Sequence, residues 1–183
     1  DANNDGQIHV SEAQKVYSLH VFTHSTTPIL SSFTGIEFFT NLRRLSISSG
    51  NMDTASELNI TALSNLEWLG IYSFRNIIKL DISNAVNLKD LIVRETAIND
   101  FNMGTISNIE RMEFTSNKIT SLDLSRHNNL VTLNCKANPI ATLVLPTAKN
   151  IVDLDCSYTE ITELNLAGFT KLKNLYCQKG SSG

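Results

Sequence analysis

The chain has 183 residues, 42% of them hydrophobic and 18% charged, with a formal net charge of −3. This length suits one globular domain or one short solenoid, and the composition is that of a folded chain rather than a disordered one. The charge is too small to favour nucleic acid or an anionic membrane surface, and no apolar run approaches the ~20 residues of a membrane-spanning helix.

In chain order, the first feature is a cation-type loop. Asp1-Ala2-Asn3-Asn4-Asp5-Gly6-Gln7-Ile8-His9-Val10-Ser11-Glu12 fits the pattern D-x-[DN]-x-[DN]-G-x5-E. A hard cation needs six or seven oxygens. Asp1, Asn3 and Asp5 offer side-chain oxygens, Gln7 its carbonyl, and Glu12 two carboxylate oxygens. Gly6 permits the sharp turn, and His9 acts through a water. The expected cofactor is a structural calcium ion, held weakly, on the order of 10⁻⁴–10⁻³ M. The alternative is a solvated acidic turn capping the helix that follows. The chain opens mid-motif at Asp1 without a signal peptide and reads as a processed or trimmed segment.

Residues 1–41 form an N-terminal cap in this reading. Ser11 to Tyr17 is a short helix, and Val16, Leu19 and Val21 mark a degenerate first coil. Ile36, Phe38 and Phe39 add apolar bulk before a regular array over 42–183, of about seven coils with the last one partial. An open solenoid end exposes core, so terminal units depart from the repeat.

The array repeats every 21 residues in its regular half. Asn41-Leu42, Asn65-Leu66, Asn87-Leu88, Asn108-Ile109, Asn129-Leu130 and Asn150-Ile151 each open a unit, and Leu172 opens a seventh behind Lys171. Each continues apolar-x-x-apolar-x-apolar, as in Leu130/Leu133/Cys135 and Ile151/Leu154/Cys156. Alternation at Leu133-Asn134-Cys135 is strand periodicity with alternate residues facing the core. The pattern predicts an α/β-type solenoid: a leucine-rich-repeat right-handed coil with a parallel concave β-sheet, few helices, and short convex segments, extended or 3₁₀, at positions such as Leu122-Asp123-Leu124. The two earlier units are longer, with the extra residues near Gly50-Asn51 and Phe74-Arg75. No C-terminal cap is visible after Cys177, so the array continues or is covered by a neighbour.

Two asparagine sets recur. Asn117 and Asn138 are expected to be buried and to bond the backbone of adjacent coils; Gly50, Phe74, Thr96, Thr159 and Gly180 interrupt that ladder. The asparagine opening each unit is assigned to turn chemistry, bonding its own backbone. The three cysteines, Cys135, Cys156 and Cys177, share one repeat position with Ile47, Ile71, Val93 and Phe114. They read as a ladder of free thiols used as small buried hydrophobes, and no zinc-ligand spacing accompanies them.

Residues alternating with the core face the concave side. Trp68 is the single tryptophan and is expected exposed beside Tyr72, with Gly70 leaving a shallow trough between them. With Arg94 and Arg111 these form the predicted interaction patch, because Trp, Tyr and Arg dominate interface energetics. The alternative is a solvated sheet whose aromatics simply cover their neighbours or lie under the long loop after Ile71. Asp153 and Asp155 near Lys136 read as a solvated acidic spot. His9, His20, His24 and His127 fall on unrelated coils, and no nucleophile–base pair or phosphate loop is evident, so the chain is not expected to be an enzyme.

The calcium-type loop, Val10-Ser11-Glu12-Ala13, the phrase from Phe33 to Leu42 and the Leu-x-x-Leu-x-Cys units resemble secreted leucine-rich-repeat proteins of Bacteroidetes, and the cysteine-bearing repeats are similar to those of some Gram-positive internalins. The resemblance covers essentially the whole chain. It implies an extracellular or cell-surface location and adhesion or protein binding. The expected function is a non-catalytic module that holds a protein or glycan on its concave face. The alternative is a structural spacer of a larger surface protein with no ligand of its own.

Overall fold

In the computed structural model, residues 5–23, 29–49 and 53–179 are described. A single helical turn, α1 (Val10–Ala13), leads into β1 (Ser18–Phe22), and a 3₁₀ turn at Ile36–Phe38 precedes β2 (Arg44–Ser48). From there the chain alternates long and short excursions. They are β3 (Glu57–Asn59), β4 (Trp68–Tyr72), β5 (Lys79–Asp81), β6 (Asp90–Arg94) and β7 (Asp100–Asn102). The run continues through β8 (Arg111–Thr115), β9 (Ser121–Asp123), β10 (Thr132–Asn134), β11 (Thr142–Val144), β12 (Asp153–Asp155) and β13 (Asn174–Tyr176).

One parallel sheet runs in the order β1-β2-β4-β6-β8-β10-β12-β13. The opposite wall carries β3-β5-β7 and β9-β11, also parallel. The chain is therefore a leucine-rich-repeat β-solenoid. The second-wall segments are extended, as one of the two sequence readings had it. The helix is shorter than the span from Ser11 to Tyr17, because Tyr17 already accepts backbone bonds from Arg43 and Arg44 as the sheet begins.

The alternating residues explain the coil. Leu42, Leu66, Leu88, Ile109, Leu130 and Ile151 are fully buried, as are Leu45, Leu69, Leu91 and Met112 beside them. Stacking turns one-coil stripes into a continuous apolar column, and each coil is stable only against its neighbours. Cys135 and Cys156 lie in that column as free buried thiols, whereas Cys177 is exposed. The buried-hydrophobe role therefore fails at Cys177, because no described coil stacks over β13, and Leu175 on the same strand is exposed too.

The buried ladder asparagines are paired inside the stack. Asn117 accepts the Thr96 N–H (3.1 Å) and hydroxyl (2.5 Å) on Oδ1 and donates from Nδ2 to the Val93 carbonyl (3.0 Å). Asn138 accepts the Ile119 N–H (3.2 Å) and donates to the carbonyls of Phe114 and Cys135. Thr96 thus continues the ladder rather than breaking it, and Thr159 donates to the Cys156 carbonyl at 2.7 Å. Phe74 takes another route: it is fully buried against Phe33, ring centroids 5.6 Å apart, so apolar packing ties the N-terminal segment to the array. Gly50 and Gly180, also expected at this ladder position, lie outside the described residues. Ala55, Leu58 and Ile60 are the buried equivalents of Ile119, Leu122 and Leu124, and counting back two residues from Ala55, as from Ile119 to Asn117, arrives at Asp53. Asp53 is buried and accepts from the Thr23 hydroxyl, the Leu30 N–H (2.7 Å) and the Ser49 hydroxyl (2.7 Å). Burial pushes its carboxyl up, but these three donors outweigh it and hold the group below the usual range.

The asparagines that open each unit do not bond their own backbone. Their Nδ2 groups reach the preceding coil: Asn41 to Gln14 (2.7 Å), Asn65 to Thr40 (3.0 Å), Asn87 to Ser64 (3.0 Å), Asn108 to Val86 (2.8 Å) and Asn150 to Asn128 (3.0 Å). Lys171 keeps the chain of contacts by donating to Asn150 Oδ1 at 2.7 Å. The turn chemistry falls instead on the residue directly after β4, β6 and β8 and on its repeat equivalents in the next two coils. Ser73, Glu95, Ser116, Ala137 and Tyr158 all sit at φ between 54 and 58°. Each N–H there donates to the next coil, as from Ala137 to the Ser157 carbonyl (2.9 Å), so a repeated inter-coil bond holds a conformation that costs a non-glycine residue roughly 1–2 kcal/mol.

Candidate functional site

The β-sheet register sets the predicted patch on adjacent strands. Trp68 and Tyr72 lie at the two ends of β4; Tyr72 pairs with Arg94 on β6, and Trp68 with Asp90, which pairs with Arg111 on β8. All four predicted residues thus share one outward face of three neighbouring strands. A period of two along each strand, together with in-register stacking, produces this placement.

Their surroundings differ from the expectation in two respects. Trp68 and Tyr72 are half-buried, not fully exposed. Nor is there a trough at Gly70: a Cβ there would clash with the Trp68 indole and lie 2.8 Å from the Tyr72 hydroxyl. Both rings fold over the glycine, and a side chain at 70 would displace them. Arg44 extends the cluster, its guanidinium 4.7 Å from the Trp68 ring centroid, a cation–π contact.

Arg94 and Arg111 converge on Glu113, a side chain only 7% exposed. Arg94 grips it with both ends of its fork, Nε to Oε1 at 2.5 Å and Nη2 to Oε2 at 2.9 Å, while Arg111 Nη2 approaches Oε2 at 3.3 Å. Burial pushes the Glu113 carboxyl up; the hydrogen bonds and charges of Arg94 and Arg111 outweigh it and hold the group below the usual range. The bond to Glu113 in turn raises Arg94. Burial raises the Tyr72 phenol, with Arg94 partly opposing. The result is a fixed platform of two aromatic rings and a buried carboxylate clamped by two half-exposed guanidiniums, with Ile92 buried in its floor.

Sequence reasoning missed Glu113 as the shared acceptor, although its spacing two residues from Arg111 was the available signal. It also assigned no face to β1. That strand pairs with β2, setting His20 opposite Ser46 and Phe22, 67% exposed, opposite Ser48. At the other end, Asp153 accepts from Asn174 (2.5 Å) and Asp155 from the Ser157 N–H (2.9 Å), while Lys136 Nζ lies 5.3 Å from the Tyr158 ring centroid.

Of the calcium-type loop, Asp1 and Asn3 lie outside the described residues. Gly6 takes φ +83°, the turn the motif requires. Asp5 Oδ1 accepts the Gln7 N–H (2.9 Å), and Asp5 Oδ2 lies 2.7 Å from His9 Nε2. Glu12 Oε2 accepts the His9 N–H at 2.9 Å, in a capping box. Among the described residues, no group of three or more His, Cys, Asp or Glu side chains converges as a metal site. The turn at Gly6 matches the motif, while the two described carboxylates are directed to His9. Of the other histidines, His20 is on the concave face, His127 is buried in the second wall, and His24 lies outside the described residues. No described helix is long and apolar enough to cross a membrane.

No protein-family model and no curated protein matches this chain. Solved structures of leucine-rich-repeat architecture do. The functional domain of InlJ from Listeria monocytogenes, described as including a cysteine ladder, superposes with a TM-score of 0.54 at 22% identity, over 92% of this chain and 45% of that one. An internalin, InlF, from Listeria monocytogenes 4b F2365 aligns at 18% identity with a TM-score of 0.40, over 93% of this chain and 69% of that one. This chain spans less than half the length of the InlJ domain, and at 22% identity that likeness shows the fold alone.

Proposed function

We propose that this solenoid is a non-catalytic protein-binding module of an exported bacterial surface protein, and that its concave face makes the contact. The observation that carries the reading is the cluster of Trp68, Tyr72, Arg44, Arg94 and Arg111 on one sheet face, where a scaffold surface alone needs no such set. Rings held over Gly70 and guanidiniums clamped on Glu113 are preorganised, which lowers the ordering cost of association. The internalin-like fold supports an extracellular setting. Immobilised wild-type protein and the Trp68→Ala/Tyr72→Ala variant are compared against panels of extracellular proteins and of glycans. Loss of a protein partner by the variant is the expected result. Equal recovery of every partner removes the patch, capture confined to glycans replaces the partner class, and no capture by either protein favours the spacer reading.

We also propose that the N-terminal loop takes a structural calcium ion, with Asp5 exchanging His9 for the cation. The turn at Gly6 and the position of Glu12 support this.

A further inference from the structure

We propose that the concave face takes an extended acidic segment of its protein partner. Arg44 and Arg111 hold carboxylates four residues apart in that segment, and an apolar side chain between them covers Trp68. This rests on reading the face as a protein-binding surface and names the chemistry of what it binds.

The charges on the face select an anionic partner. Glu113 carries one negative charge, and Arg94 takes both of its oxygens, at 2.5 and 2.9 Å. Arg111 reaches the same carboxylate with one nitrogen only, at 3.3 Å. The three side chains together keep one positive charge, and Arg111 is 47% exposed. Arg44 is exposed too, and among the described residues no carboxylate pairs with it. Its contact is with the Trp68 ring, which takes none of the fork's N–H groups as a hydrogen-bond acceptor would. That fork matches a carboxylate, and stacking on the ring holds it in place for one.

The register sets the spacing. Arg44, Trp68, Asp90 and Arg111 stand side by side on β2, β4, β6 and β8. Three strand spacings of ~4.8 Å put Arg44 and Arg111 about 14 Å apart. An extended segment crossing these strands rises ~3.3 Å per residue, so its side chains i and i+4 share a face and lie about 13 Å apart. Residue i+2 falls midway, about 7 Å from each end, between the Trp68 indole and the Asp90 carboxylate. An apolar side chain there covers the ring, whereas a third carboxylate meets Asp90 and is repelled. The face therefore reads an acidic-x-apolar-x-acidic pattern rather than negative charge in general. A single extended segment is also narrow enough to lie within a concave surface.

Trp68 is the single tryptophan, so its fluorescence reports on this site directly. The protein is titrated with capped peptides containing Glu-Ser-Leu-Ser-Glu, Glu-Ser-Glu-Ser-Glu or Gln-Ser-Leu-Ser-Gln, and with heparin. The first peptide is expected to give a saturable change, and the other two to bind at least ~10-fold more weakly. Arg44→Gln and Arg111→Gln are each expected to weaken the first peptide ~10-fold, with the thermal unfolding of Arg44→Gln unchanged. Arg44→Glu is expected to reverse the preference, binding Lys-Ser-Leu-Ser-Glu more tightly than the first peptide. No saturable change at millimolar peptide, tighter binding of the most acidic peptide, or a response indifferent to Arg44 overturns the proposal. A response to heparin with none to the peptides also overturns it and assigns the face to a sulfated glycan. Failure of the peptides while Trp68→Ala/Tyr72→Ala still loses a protein partner leaves the binding-module reading standing and removes only the acidic segment.

Discussion

Replacing His127 by leucine is expected to stabilise the solenoid and to remove part of its acid sensitivity. His127 occupies the repeat position held by Leu63, Ala85, Ile106, Ala148 and Phe169, and it is 5% exposed. Neither ring nitrogen makes a hydrogen bond of good geometry, although the Leu124 carbonyl is close enough to favour the protonated ring. A buried polar group left unsatisfied costs about 1–3 kcal/mol, and leucine carries no such group at a position that already accepts Leu63. A gain of about 1 kcal/mol at neutral pH corresponds to roughly 2–4 °C in a domain of this size. Burial lowers the ring's pKa; the Leu124 carbonyl and the Asp123 carboxylate favour the protonated ring but do not offset burial. The unfolded chain therefore binds this proton more readily than the folded one. Above the unfolded value, near 6.5, the residue is neutral in both states and contributes no pH dependence. As pH falls from there towards the lowered folded value, stability is lost at up to about 1.4 kcal/mol per pH unit for one proton. Urea denaturation of wild type and His127→Leu from neutral to mildly acidic pH tests this. The difference between their stabilities is expected to widen as the medium is acidified below that point. A parallel pH profile, or a variant less stable than wild type at neutral pH, refutes the argument.

Three further outcomes follow from named contacts. Asn138→Ala strands the Ile119 N–H and the Phe114 and Cys135 carbonyls inside the stack, and is expected to cost about 2–4 kcal/mol by chemical denaturation; a loss under 1 kcal/mol would show that water replaces the ladder. Burial pushes the Cys135 thiol up to about 12 and Cys156 to about 11, while Cys177 is exposed, so a thiolate-selective reagent at mildly alkaline pH should modify one thiol in the folded protein and three in denaturant. Millimolar calcium should raise the midpoint of thermal unfolding relative to chelator, and His9→Ala, which releases Asp5, should enlarge the shift; an unchanged midpoint in both proteins removes the ion.

Much of the architecture is local in origin and could be read directly. A period of 21 with apolar residues at fixed offsets determines the strand positions, the face each residue occupies and the parallel stacking, since a one-residue slip would turn Leu133 and Cys135 outward. Those constraints also bring Trp68, Tyr72, Arg94 and Arg111 onto one surface. Tertiary structure decided what crosses between coils. Asn65 and Asn108 bond a carbonyl one coil away rather than their own turn, and Asp53 stands in for a ladder asparagine only because three extra residues shift the count. Glu113 became the shared acceptor of two arginines, and two rings closed over Gly70. Hydrophobic periodicity is a property of each strand and is written in every repeat. Hydrogen bonds, ion pairs and ring packing depend on partners some twenty residues away, and on angles that a linear pattern does not contain.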